Sequence, residues 1–100
     1  MSAPAYLVAH IEVHDPVAFE EYRTRVVPVV EAFGGRYLVR GGTLQTVEGA
    51  EQHRRLVILE FPSMDAARGF YQSAEYAPVL QRRLDSAASD VILVEGYTPG

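Results

Sequence analysis

The sequence has no cysteine and no tryptophan, and all nine of its basic residues are arginine, so lysine is missing as well. Without cysteine there are no disulfides, no thiolate nucleophile and no cysteine-bound metal. Without lysine there is no Schiff-base chemistry and no phosphate-loop lysine. The formal net charge is −4, and arginines adjoin only at Arg54–Arg55 and Arg82–Arg83. Nucleic acid is therefore a poor partner, because the electrostatic attraction that dominates such binding is missing. No apolar run approaches the length of a membrane span, and Met1–Ser2 does not open a basic-then-apolar leader. The chain reads as soluble and cytoplasmic.

What is present is ordinary globular material: 100 residues, 48% hydrophobic and 22% charged. That is enough for one domain, residues 1–100, with a thin core that a dimer interface would reinforce. Residues 5–13 are rich in β-formers and predict a first strand. Alternation places Leu7, Ala9, Ile11 and Val13 on one face and Tyr6, Val8, His10 and Glu12 on the other. Asp15-Pro16 supplies a side-chain acceptor at the helix cap and a proline at the first helical position. Phe19, Tyr22, Val26 and Phe33 then recur at helical spacing, predicting a helix over about 16–33. Pro28 predicts a kink or a broken last turn, and Gly34-Gly35 ends the helix.

Residues 36–40 predict a second strand, with Tyr37 and Val39 on one face and Leu38 and Arg40 on the other. Gly41-Gly42 closes or bulges it, and Thr43–Val47 could extend it. Residues 55–61 form the most apolar stretch and predict the third strand. Ser63 can cap a second helix marked by Met64, Ala67 and Phe70 or Tyr71. A break at Ser73–Pro78, with Ser73 as a cap, leads to a further helical piece lined by Tyr76, Leu80, Leu84 and Ala87 or Ala88. Arg82 and Arg83 read as its solvated side or as an ion pair with Asp85 or Glu75, and residues 90–96 as the fourth strand.

The order β-α-β-β-α-β is that of an α+β, ferredoxin-like antiparallel sheet with the helices on one face. The other face keeps Val8, Ile58 and Leu38, too much apolar surface to leave wet. A second copy packed face to face would cover it and make a dimeric α+β barrel, so a homodimer through the open sheet face is expected.

Several segments in order carry a family resemblance: Ala5-Tyr-Leu-Val-Ala9, Asp15-Pro16 with Tyr22, Gly34-Gly-Arg-Tyr-Leu-Val-Arg-Gly-Gly42, Arg54-Arg-Leu-Val-Ile-Leu-Glu-Phe-Pro62 and Tyr71-Gln-Ser-Ala-Glu-Tyr76. Together they resemble the family called domain of unknown function 1330 (DUF1330), over roughly residues 5–97. The resemblance implies membership of the dimeric α+β barrel superfamily, which includes cofactor-free quinone-forming monooxygenases, haem-degrading enzymes, isomerases and proteins without known activity. That family often places a tryptophan near Gln52–His53, and this chain has none. The fold by itself selects no reaction.

The candidate catalytic residues are His10, Arg40 and Glu60. His10 is the one histidine in a predicted core strand and the natural general base near neutral pH. Glu60 shares a face with Ile58 and Leu56, where a carboxylate needs a partner; Arg40, on the neighbouring strand, is the expected one. A structural ion pair is the plainer reading of the two, and an anion-stabilising arginine the functional one. Tyr22, Tyr71 and Tyr76 are candidate substrate contacts, packed with a hydroxyl reaching a partner or a bound carbonyl. His10, His14 and His53 stand at no metal-ligand spacing, so no metal is expected, and no cofactor is implied. Two functions follow. One is a homodimer whose cavity between sheet and helices binds or transforms a small apolar or aromatic molecule, in the manner of a cofactor-free monooxygenase or isomerase. The other is a non-catalytic binding or stress-related dimer.

Overall fold

Seven elements follow one another in the computed structural model, which describes residues 3–52 and 54–99: β1 (Ala5–Val13), α1 (Pro16–Ala32), β2 (Arg36–Arg40), β3 (Arg55–Phe61), α2 (Met64–Tyr71), α3 (Ala77–Ser86) and β4 (Ala87–Glu95). His53 lies outside the described residues. The strands form one sheet in the order β2-β3-β1-β4 with every neighbouring pair antiparallel. This is the ferredoxin-like arrangement expected from the sequence.

Local chemistry explains where the elements begin and end. The Asp15 carboxylate accepts from the Ala18 amide at 3.1 Å and Pro16 occupies the first turn of α1, where its missing N–H costs nothing. At the other end the Gly35 amide reaches back to the Val30 carbonyl and the Gly34 amide to that of Glu31. This pairing needs a left-handed residue at Gly34, whose φ is +78°. Between these caps α1 stays helical through Pro28, so the predicted break is not there. Ser63 caps α2 by accepting from the Ala66 amide, and the Ser73 hydroxyl accepts from the Tyr76 amide ahead of α3.

The core lies between the sheet and the helices. Leu7, Ala9 and Ile11 of β1 and Leu59 and Phe61 of β3 meet Phe19, Val26 and Val30 of α1 and Ala67 and Phe70 of α2. Phe70 is the hub of an aromatic cluster, with ring centres 5.2 Å from Phe61, 4.4 Å from Tyr76 and 6.2 Å from Phe33. Truncating a ring so enclosed costs about 3–5 kcal/mol.

The opposite sheet face carries Tyr6, Val8 and His10 of β1 beside Glu60, Ile58 and Leu56 of β3 and Val94, Ile92 and Asp90 of β4. Among the described residues no helix packs on it, and Leu38, Ile92 and Val94 are left exposed.

Three expectations are corrected here. β4 begins at Ala87, not Asp90, because Ala87 and Ala88 pair with Val13 and Glu12. Residues 43–47 do not extend β2; the connection from β2 to β3 has no regular structure among its described residues. The buried stripe of α3 is Tyr76, Val79, Arg83 and Ser86, whereas Leu84 is exposed. Arg83, expected on the solvated side, is 3% exposed.

Candidate functional site

A cavity of about 40 Å³ sits between the sheet and α1, α2 and α3. Its floor is apolar, from Leu7, Ala9 and Ile11 of β1 and Val57 and Leu59 of β3. Its polar groups are four tyrosines, Tyr22, Tyr37, Tyr71 and Tyr76, and four arginines, Arg23, Arg40, Arg55 and Arg83. No carboxylate and no histidine lines it among the described residues.

Burial separates the cavity into two ends. Deep inside, the Tyr22 and Tyr76 hydroxyls lie 3.0 Å apart. Arg83 faces Tyr71 and the Tyr22 ring, with an Nη2–hydroxyl distance of 3.4 Å and a guanidinium-to-ring distance of 5.8 Å. Burial, reinforced by the neighbouring Tyr76 phenol, raises the Tyr22 pKa far above the ordinary tyrosine value. Tyr22 is therefore a neutral phenol that can donate or accept a hydrogen bond.

Toward solvent stand Arg23, Arg40 and Arg55. Arg40 donates to the Arg23 carbonyl at 2.6 Å and stacks 4.5 Å from the Tyr37 ring centre. Arg55 sits 5.8 Å from the Phe19 ring centre, and its Nε is buried without a hydrogen-bond partner. Its pKa is lowered, first by burial and then by the positive charges of Arg23 and Arg40. Gly41, at φ +72°, makes room for it: a Cβ there would come within 2.6 Å of the Arg55 guanidinium carbon. The Tyr37 pKa, by contrast, is raised, chiefly by burial.

The structure does not bring His10, Arg40 and Glu60 together. A bulge in β2 at Leu38 sets Val39 opposite Ile58 and Arg40 opposite Val57, so Arg40 shares the helix-side face with Tyr37. Alternation through residues 36–40 had put Arg40 on the other face with Glu60. The partner of Glu60 is Arg36, at 2.7 Å on the open face. His10 lies where alternation placed it, on that same open face, between Leu56 and Asp90. It lines a cleft under the β2–β3 connection with Leu44, Thr46 and Gln52; Asp90 beside it is held by Arg54 at 2.6 Å. Tyr22, Tyr71 and Tyr76 do converge. No group of three or more histidine or acidic side chains that would hold a metal is found among the described residues.

Sequence reasoning passed over Tyr37, Arg55 and Arg83 as site residues. The signal for Arg55 was available, since counting back by twos from Phe61, Leu59 and Val57 puts it on the core face. The signal for Arg83 was its spacing of four from Val79.

Residues 4–97 match the family described as domain of unknown function, DUF1330. The chain belongs to the DUF1330 family. Among curated proteins no sequence match is found. Solved structures share its fold at low identity. A protein of unknown function from Rhodopseudomonas palustris is 19% identical, with a TM-score of 0.78 over 99% of this chain and 86% of its own. SnoaB, a cofactor-independent oxygenase from Streptomyces nogalater, is 17% identical, with a TM-score of 0.68 over 98% and 97%. A dimeric ferredoxin-like protein of unknown function from Thermobifida fusca is 13% identical, with a TM-score of 0.63 over 98% and 93%. Such likeness shows the fold of this DUF1330 chain and nothing of its chemistry.

Proposed function

We propose that this DUF1330 protein is a homodimer that binds a small aromatic molecule in the cavity between sheet and helices. The observation that carries the reading is the convergence of four phenols and four guanidinium groups on an apolar floor. Apolar walls with a few inward polar groups are the usual make-up of a small-molecule site. Guanidinium planes and tyrosine rings both stack on aromatic faces. The present volume holds roughly three waters, so a ring enters as the cavity widens at its solvent end.

The dimer uses the uncovered sheet face. Leu38, Ile92 and Val94 are exposed there beside Val8 and Ile58, and the Thermobifida fusca neighbour is described as dimeric. In this arrangement His10 and Glu60 belong to the interface side, while Arg40, Tyr22, Tyr71 and Tyr76 contact the ligand.

Catalysis of the cofactor-independent oxygenase kind is a second reading, favoured by the likeness to SnoaB. With no histidine or carboxylate among the described lining residues and Tyr22 held neutral, its substrate would have to arrive already ionised. The test is a titration with phenol and 2-naphthol followed by protein NMR. Shifts should concentrate on Tyr22, Tyr37 and Tyr76. Shifts confined to the His10 cleft, or none up to millimolar concentration, would overturn the reading.

A further inference from the structure

The solvent end of the cavity places three positive side chains together, and the charge of Glu20 offsets only part of theirs. Arg40 and Arg55 form no ion pair among the described residues. Arg23 contacts Glu20 at 3.1 Å, but that carboxylate is 62% exposed and outside the cavity lining. Arg40 satisfies one N–H on a backbone carbonyl and lays its plane on Tyr37. Arg55 keeps a buried Nε–H with no acceptor among the described residues. A buried donor left unpaired is costly and rare in a folded protein. Burial first, and then the repulsion of Arg23 and Arg40, which Glu20 only partly offsets, weaken the hold of Arg55 on its proton. Gly41 admits the Arg55 guanidinium where a side chain would exclude it.

We infer that the ligand of this cavity is an aromatic carboxylate, its ring toward Tyr22 and Tyr76 and its carboxylate held between Arg40 and Arg55. The inference rests on the cavity being a ligand site. Beyond the exposed Glu20, a carboxylate supplies what the described residues do not: an ion-pair partner for Arg40 and Arg55 and an acceptor for the Arg55 Nε–H. Guanidinium and carboxylate match as planar, charge-assisted pairs, which a neutral amide of the same shape does not reproduce.

The experiment compares benzoate with benzamide by calorimetry and NMR on the wild-type protein and on Arg40→Met, Arg55→Met and Arg36→Met. Benzoate should bind about tenfold more tightly than benzamide. Arg40→Met and Arg55→Met should each remove most of that difference while keeping benzamide binding within about twofold, which also shows that the variants fold. Arg36→Met, which removes the same charge from the other sheet face, should leave benzoate binding unchanged. Equal binding of benzoate and benzamide would overturn the carboxylate assignment and leave the cavity as a site for neutral rings. An Arg36→Met loss as large as that of Arg55→Met would overturn it too, by tracing the preference to overall charge. Absence of binding by either probe would remove the cavity reading itself.

Discussion

Arg36 Nε donates to Glu60 Oε1 at 2.7 Å across the β2–β3 pair, on the face opposite Arg40. In the single chain Arg36 is 70% exposed and Glu60 22%, so while the sheet face is uncovered solvent screens the pair and its worth is that of a surface bridge. A double-mutant cycle with Arg36→Met and Glu60→Gln should give a coupling of about 0.2–1 kcal/mol. The same cycle with Arg40→Met and Glu60→Gln should give a coupling near zero. A large Arg40–Glu60 coupling would mean that the two side chains share one face after all.

Alkaline stability should report the Tyr22–Tyr76 contact. Burial raises the folded-state pKa of Tyr22 above its ordinary 10.0. The unfolded chain then releases a proton near pH 10 that the folded chain retains. The stabilisation is fully present below that pH and is lost as pH rises above it. Urea midpoints measured across this range should fall, and Tyr22→Phe should flatten the fall. At neutral pH the same substitution should cost about 0.5–1.5 kcal/mol, the worth of one hydrogen bond.

Arg83 is buried among phenols with no carboxylate partner among the described residues. Replacing a desolvated charge by an apolar side chain of similar length is commonly neutral or stabilising. Arg83→Met should therefore unfold at the wild-type urea concentration or above it while ligand affinity drops, the trade expected of a group kept for function. A loss above about 2 kcal/mol would show instead that its contacts to Tyr71 and Tyr22 hold the core together.

The uncovered sheet face should make the protein sediment at twice its chain mass at micromolar concentration. Ile92 is 59% exposed on that face. Ile92→Asp should yield a monomer, since a charge at the centre of an apolar interface is strongly unfavourable. A wild-type monomer at that concentration would exclude the dimer.

Most of the fold was legible because period and punctuation agreed. β1, β2 and β3 begin and end where alternation and the Asp-Pro, Gly-Gly and Pro-Ser signals place them. β4 was misread at its start because Ala87, Ala88 and Ser89 carry no strand propensity of their own; pairing with β1 makes them a strand. The site was less legible. Tyr22, Tyr71 and Tyr76 stood out as aromatics at helical spacing. Arg40 was put on the wrong face because a bulge leaves no mark in a five-residue pattern. Arg83 was read as solvated because arginine is mostly exposed, and the phenols around it come from α1, the end of α2 and the turn before α3, which the pattern of its own helix does not show.

The bulge at Leu38 bears on how relatives of this chain are to be compared. Tyr37 and Arg40 stand three positions apart yet share the cavity side, because Leu38 and Val39 together oppose one residue of β3. A relative lacking one residue here would keep its tyrosine and arginine in the cavity only two positions apart. A gap in an alignment at this point would then mark the same architecture, whereas an ungapped match with an unbulged strand would equate an inward arginine with an outward one. Correspondence along β2 should be judged by which side of the sheet a residue faces, and counted by number only within each half.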